Sequence, residues 1–241
     1  MILQSASTAA ARLLTPDFRA VLFKTLGLTA LVLVAAWFAI GWSVETFALP
    51  PLTAMLPDWT GWLGTIALVA AGMALALGLG LLIAPVTAVI AGFFLDDVAE
   101  IVEREDYPAD PPGSALPMTT AAIVSAKFLG LVIAGNLLAL ALLLVPGVNL
   151  VAFFIVNGYL IGREYFEFAA MRHRPEADAR ALRRRHGGTV FLAGLVIALL
   201  LSVPVLNLLT PLFAAAMMVH LHKKISAREA IAFRSEAAHS A

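Results

Sequence analysis

Four long stretches of the chain are nearly free of charge, and the ionisable residues gather in the gaps between them. The first, residues 25–44, lies between Lys24 and Glu45. It has the roughly 20 apolar residues that a helix needs to cross about 30 Å of hydrocarbon. Trp37 and Trp42 near its far end, with Trp59 and Trp62 on the return, fit an interfacial aromatic belt. The second stretch, 59–95, carries no charge and is longer than one span, so tilt or an extension beyond the membrane takes up the surplus. Within it Gly72, Ala76, Gly80 and Ala84 recur at every fourth position, a small-residue stripe that lets another helix approach closely. Pro85 is expected to kink or break this helix, and Asp96-Asp97 ends the run. Ahead of both spans, Leu3, Ala10, Leu13 and Leu14 among Ser and Thr predict a helix lying along the membrane surface.

The last two apolar stretches repeat one pattern. The chain reads LLLVPGVNL around Val145 and LLSVPVLNL around Val203, so Pro146 pairs with Pro204 and Asn149 with Asn207. Each apolar segment is short for a span, runs into Val-Pro, and leaves through Asn-Leu into another apolar segment. Proline disfavours helix at the residue before it, and an Asn three residues later is a good N-cap for a new helix. Two readings follow. In one, each unit is a helical hairpin whose tip sits inside the membrane, where irregular backbone survives only beneath protein or beside a water-filled cavity. In the other, each is a pair of short spans with a proline turn at the far interface, giving six spans in all.

The pattern divides a single all-α membrane domain, 1–241, into consecutive parts. These are a surface amphipathic helix over 1–19, span 1 over 20–48, span 2 over 59–95 and a cytoplasmic connector over 96–126. A first hairpin covers 127–168, a basic cytoplasmic connection 169–187, a second hairpin 188–222 and a tail 223–241. Composition agrees with a lipid solvent: 61% of residues are hydrophobic, 13% are charged, and mean hydropathy is +0.92. Soluble domains carry about 25% charged residues. Sixteen basic and 16 acidic residues give no net charge, against nucleic-acid binding, and the absence of cysteine excludes thiolate sites.

The placement of charge sets orientation. Arg163, Arg172, Arg174, Arg180, Arg183, Arg184 and Arg185 crowd one connection, and Lys223, Lys224, Arg228 and Arg234 lie in the tail. Residues 45–58 contain no basic side chain. The positive-inside rule therefore puts both termini in the cytoplasm and 45–58 outside, in a multi-pass membrane protein.

No phosphate-binding GxxxxGK[ST] loop is present, so the chain is not itself an ATP-driven pump, and its apolar stretches hold no ionisable relay. A channel-like conduit fits better. A doubly charged anion needs hydrogen-bond donors, positive helix ends and one or two arginines. Pro16-Asp17-Phe18-Arg19 is the first candidate, with the helix starts at Asn149 and Asn207 and the side chain of Arg163 as the others. Each has a structural alternative: Arg19 as a membrane anchor, the asparagines as plain caps, Arg163 as the partner of Glu164 or Glu167. Asp97 and Glu100 would line a polar mouth together with Arg163. Glu164, Glu167, His220 and His222 do not make a metal motif: the two histidines are two apart on a helix, and neither HExxH nor ExxH occurs. A cytoplasmic rim position beside Lys223 and Lys224 accounts for both histidines. No cofactor is implied, and without GxSxG there is no serine hydrolase to argue for. A non-transporting membrane scaffold, or a regulatory partner of another transporter, is the alternative function.

In order along most of its length the chain resembles the CysZ family of bacterial inner-membrane sulfate permeases. The resemblance rests on Pro16-Asp17-Phe18-Arg19, Leu56-Pro57-Asp58-Trp59, Ala84-Pro85 and Val145-Pro146-Gly147-Val148-Asn149. Gly162-Arg163-Glu164-Tyr165-Phe166-Glu167-Phe168 and Val203-Pro204-Val205-Leu206-Asn207-Leu208 complete it. It implies two full transmembrane helices followed by two partly penetrating hairpins, homo-oligomers, and sulfate uptake feeding cysteine synthesis. It also implies sulfate binding by an arginine pair at the start of the first long helix, here at Phe18, Arg19 and Ala20. Only the first arginine of the pair is present, as Arg19; the second position is Ala20, so such a site has one donor group and one charge fewer.

Overall fold

The computed structural model describes residues 1–48, 50–51, 61–115, 117, 119 and 148–239. Among them every regular element is a helix. In chain order they are α1 (Ile2–Arg12), α2 (Pro16–Ser43), α3 (Gly61–Gly92), α4 (Leu95–Asp106), α5 (Val148–Met171), α6 (Glu176–Arg185), α7 (Gly187–Leu201), the single turn α8 (Pro204–Asn207) and α9 (Thr210–His239). A π-helical turn, Val44–Ala48, continues α2. The chain forms two compact units, one of Phe23–Phe93 and one of Met1–Leu22 with Phe94–Ala241.

The unit of Phe23–Phe93 holds most of α2 and all of α3. Among the described residues Pro16–Phe47 is the one helix long and apolar enough to cross a membrane. Leu31, Phe38 and Trp42 on α2 stand more than 60% exposed, an arrangement water does not reward. Hydroxyls within α2 bond to their own helix, Thr29 Oγ1 donating to the Thr25 carbonyl at 2.8 Å and Ser43 Oγ to the Ala39 carbonyl at 2.7 Å. The expected break at Pro85 does not occur, and α3 continues through it to Gly92. In apolar surroundings a broken helix exposes more backbone than the one carbonyl that proline leaves unbonded. The apolar part recognisable in α3 is 64–80, shorter than a full span. A side chain added at Gly72 or Gly80 would meet nothing within 4 Å, so no described part of the chain covers that stripe.

In the other unit α9 is the central element. Every residue from 210 to 223 is buried, and α1, α4, α5 and α7 pack around it. A helix apolar on all sides, as this segment is until His220, needs such a surround. Helix α1 turns Ser5 and Ala9 inward against α9 and leaves Leu3 exposed, with Leu14 exposed just beyond its end. Helices α5 and α7 cross backbone to backbone. A Cβ on Gly194 would lie 1.9 Å from the Gly158 carbonyl oxygen, and one on Gly162 would lie 2.6 Å from the Val190 oxygen. Away from the core, Val151, Ile155 and Tyr159 share an exposed face of α5, and Leu192 and Leu199 one of α7.

The second Val-Pro unit behaves as its sequence predicts at the proline. Val203 is extended (φ −99°, ψ 115°), Pro204 opens α8, and α7 and α9 pack together on either side of this turn. The N-cap expectation for Asn207 is corrected. Asn207 ends α8, its N–H donates to the Val203 carbonyl at 2.8 Å, and the next long helix starts at Thr210. Once Pro204 seeds a turn at once, Asn207 falls at that turn's end rather than at a new beginning. Residues 145–147, with all of the first limb of the first hairpin, and 56–59 lie outside the described residues.

Candidate functional site

Helix α2 begins at Pro16, whose missing N–H is harmless in a first turn. Phe18 is anchored in the core at 1% exposure, and this turns Arg19 and Ala20 outward. The Arg19 N–H already donates to the Thr15 carbonyl at 3.0 Å, so of these three residues Phe18 is the one placed among the free first-turn N–H groups. The Arg19 guanidinium makes no hydrogen bond or ion pair with any described residue. Asp17, two positions earlier, is held by Arg104 at 3.0 Å, which takes the nearest carboxylate out of competition.

Among the described residues, none of the other expected ones makes a hydrogen bond or ion pair with Arg19. Asp97 and Glu100 lie on α4, exposed and without partners among the described residues. Arg163, on α5, sits 3.5 Å from Glu167 one turn on, the structural alternative named for it. Asn149 falls in the first turn of α5 and Asn207 at the end of α8.

Two buried carboxylates organise the polar end of this unit, and the sequence reading assigned neither of them this role. On α4, Val98, Ala99, Ile101 and Val102 are buried, and Glu103 shares their face at 4% exposure. Arg172, just past α5, donates from Nε and Nη2 to its two oxygens at 3.1 Å each, and also contacts Asp96. His173 Nε2 lies 3.0 Å from one oxygen, and the Gly113 N–H donates to the other at 2.9 Å. Burial alone would push the Glu103 carboxyl up, but the bonds to His173, Arg172 and Gly113 outweigh it and hold it at about 2.

Glu167 on α5 is the second, 6% exposed between Phe166 and the buried Ala169–Ala170 pair. Arg183 Nε donates to it at 2.6 Å, with Arg163 Nε at 3.5 Å and Arg180 Nε at 3.9 Å. The sequence signal was partial: Glu103 follows the apolar Ala99, Ile101 and Val102, and Glu167 precedes the apolar Ala169, Ala170 and Met171.

His220 and His222 are buried within the protein, 1% and 2% exposed. They do face different ways. His220 Nδ1 meets the Tyr107 hydroxyl at 3.0 Å, while His222 stacks on His173 and meets the Ser226 hydroxyl at 3.2 Å. Burial, with Asp106 and Asp110, pushes the Tyr107 hydroxyl up to about 12, so it stays a donor at neutral pH. Among the described residues no group of three His, Asp or Glu side chains is placed to hold a metal.

Among the described residues the arrangement offers an uncommitted guanidinium at the start of the helix long and apolar enough to cross a membrane, and a clustered basic end elsewhere. The family described as sulfate transporter CysZ/etoposide-induced protein 2.4 matches residues 5–211. No curated protein matches the chain.

Proposed function

Because the chain belongs to the sulfate transporter CysZ/etoposide-induced protein 2.4 family, we propose that it is a channel-like, ATP-independent conduit for sulfate in the bacterial inner membrane, supplying cysteine synthesis. Two helices span the bilayer, two proline-tipped hairpins enter it part way, and copies of the chain associate. Both termini face the cytoplasm. The apolar side chains standing open along α2, α3, α5 and α7 support a lipid surround.

The observation that carries the anion reading is Arg19. It is exposed, has no partner among the described residues, and opens the helix best suited to cross the membrane. A guanidinium without a carboxylate keeps its full attraction for an oxyanion. The uncompensated charges of Asp97 and Glu100 repel an anion, so they belong to the rim of the pathway rather than its narrowest part. A growth assay tests the reading. A bacterial strain lacking its own sulfate uptake, supplied with this protein, grows on sulfate as sole sulfur source. Growth on cysteine but not on sulfate, with the protein in the membrane, favours a scaffold instead.

A further inference from the structure

We propose that Arg163, Arg180 and Arg183 form a second oxyanion site, in which the Glu167 carboxylate is a resident counter-charge that an incoming sulfate displaces. The inference rests on the conduit reading and extends it to the basic end of the protein.

Glu167 satisfies only part of what surrounds it. Arg183 is within hydrogen-bonding reach, whereas Arg163 and Arg180 stand at 3.5 and 3.9 Å, attracted but not bonded through those atoms. The Arg180 Nε is buried and has no hydrogen-bond partner. Glu176 takes one arm of Arg180, so among the described ion pairs three guanidiniums face two carboxylates and one positive charge is left over.

Access and depth differ in the required sense. The side chains of Arg163, Arg180 and Arg183 are 25%, 34% and 13% exposed, and that of Glu167 is 7% exposed. An anion arriving from water therefore meets guanidinium before carboxylate. A tetrahedral dianion presents four acceptor oxygens, which three forked donors on two elements match better than one carboxylate does. Helix α6, which carries Arg180 and Arg183, turns 89° from the charge-free α7, so these arginines lie at the end of α7 and not along it. A purely structural ion lock and a displaceable counter-charge differ in sign: neutralising Glu167 frees the arginines for a ligand only in the second.

Equilibrium binding of radiolabelled sulfate to the purified full chain tests this, in an Arg19→Ala background that removes the first site. Glu167→Gln should tighten the dissociation constant by about tenfold, and Arg183→Ala added to it should abolish the gain. Arg180→Ala, at a side chain 34% exposed, should weaken binding several-fold with Glu167 intact, and it decides the matter should Glu167→Gln not fold. Unchanged or weaker binding in folded Glu167→Gln, or unchanged binding in Arg180→Ala, overturns the proposal. Failure of wild-type protein to move sulfate overturns the conduit reading and leaves this binding result to stand or fall alone.

Discussion

Arg172 reaches back 69 positions in the chain to Glu103 and holds both of its oxygens, from Nε and Nη2, at 3.1 Å each. Both side chains are at most 5% exposed, so neither charge has water to fall back on. The pair ties the short amphipathic α4 to the end of α5, and the Ser114 N–H closes the join by donating to the Arg172 carbonyl at 2.9 Å.

Removing one partner strands the other. Arg172→Met should destabilise the protein by about 3–5 kcal/mol, the usual effect of leaving a buried charge unpaired. Arg172→Lys should recover little, because an ammonium cannot bond two oxygens in a fixed fork. Thermal unfolding in detergent measures both; a midpoint within a degree of wild type for Arg172→Met would contradict this account.

The same pair sets an acid limit. The Glu103 carboxyl is lowered from about 4.5 to about 2, so the folded state binds its proton less readily than the unfolded chain does. Its contribution to stability is therefore complete above about pH 4.5 and is lost as pH falls toward 2. Unfolding midpoints measured from pH 6 down to pH 2.5 should decline over this window, and Glu103→Gln should flatten the decline.

The two kinds of small-residue position should respond differently to an added methyl. At Gly194 a Cβ would lie 1.9 Å from the Gly158 carbonyl oxygen, so α5 and α7 must separate, and Gly194→Ala should cost about 2 kcal/mol or more. At Gly72 nothing lies within 4 Å, and Gly72→Ala should leave the stability of the single chain within about 0.5 kcal/mol. Melting both variants under conditions that keep the chain monomeric separates them.

How far the sequence discloses this architecture depends on the range of each interaction. The Val203-Pro204 break is legible because proline acts on its immediate neighbour, and Val203 is extended as that local rule requires. Pro85 obeys the same local chemistry, yet α3 continues, because the surroundings of a whole apolar helix decide whether a missing bond ends it. The Gly158-x-x-x-Gly162 spacing is as plain as that of Gly72 to Ala84, but its use appears only once Gly194 is known to face it. Spacing marks a surface able to pack and does not name its partner. The buried acids are the least legible. Glu103 depends on Arg172 and His173, and Glu167 on Arg180 and Arg183, all from later elements that no local pattern links to them. The placement of Arg19 in the first turns of a long helix is legible because Pro16, which opens that helix, lies three residues before it.

The most direct test of the central claim is the initial rate of radiolabelled sulfate uptake into liposomes. Vesicles containing the purified protein, its Arg19→Ala variant, and no protein are compared side by side. Uptake well above empty vesicles for the wild type, reduced about tenfold or more by Arg19→Ala, is the expected result for loss of a charge-assisted contact of about 1.5–3 kcal/mol. Folded wild-type protein that admits no more sulfate than empty vesicles would contradict the account.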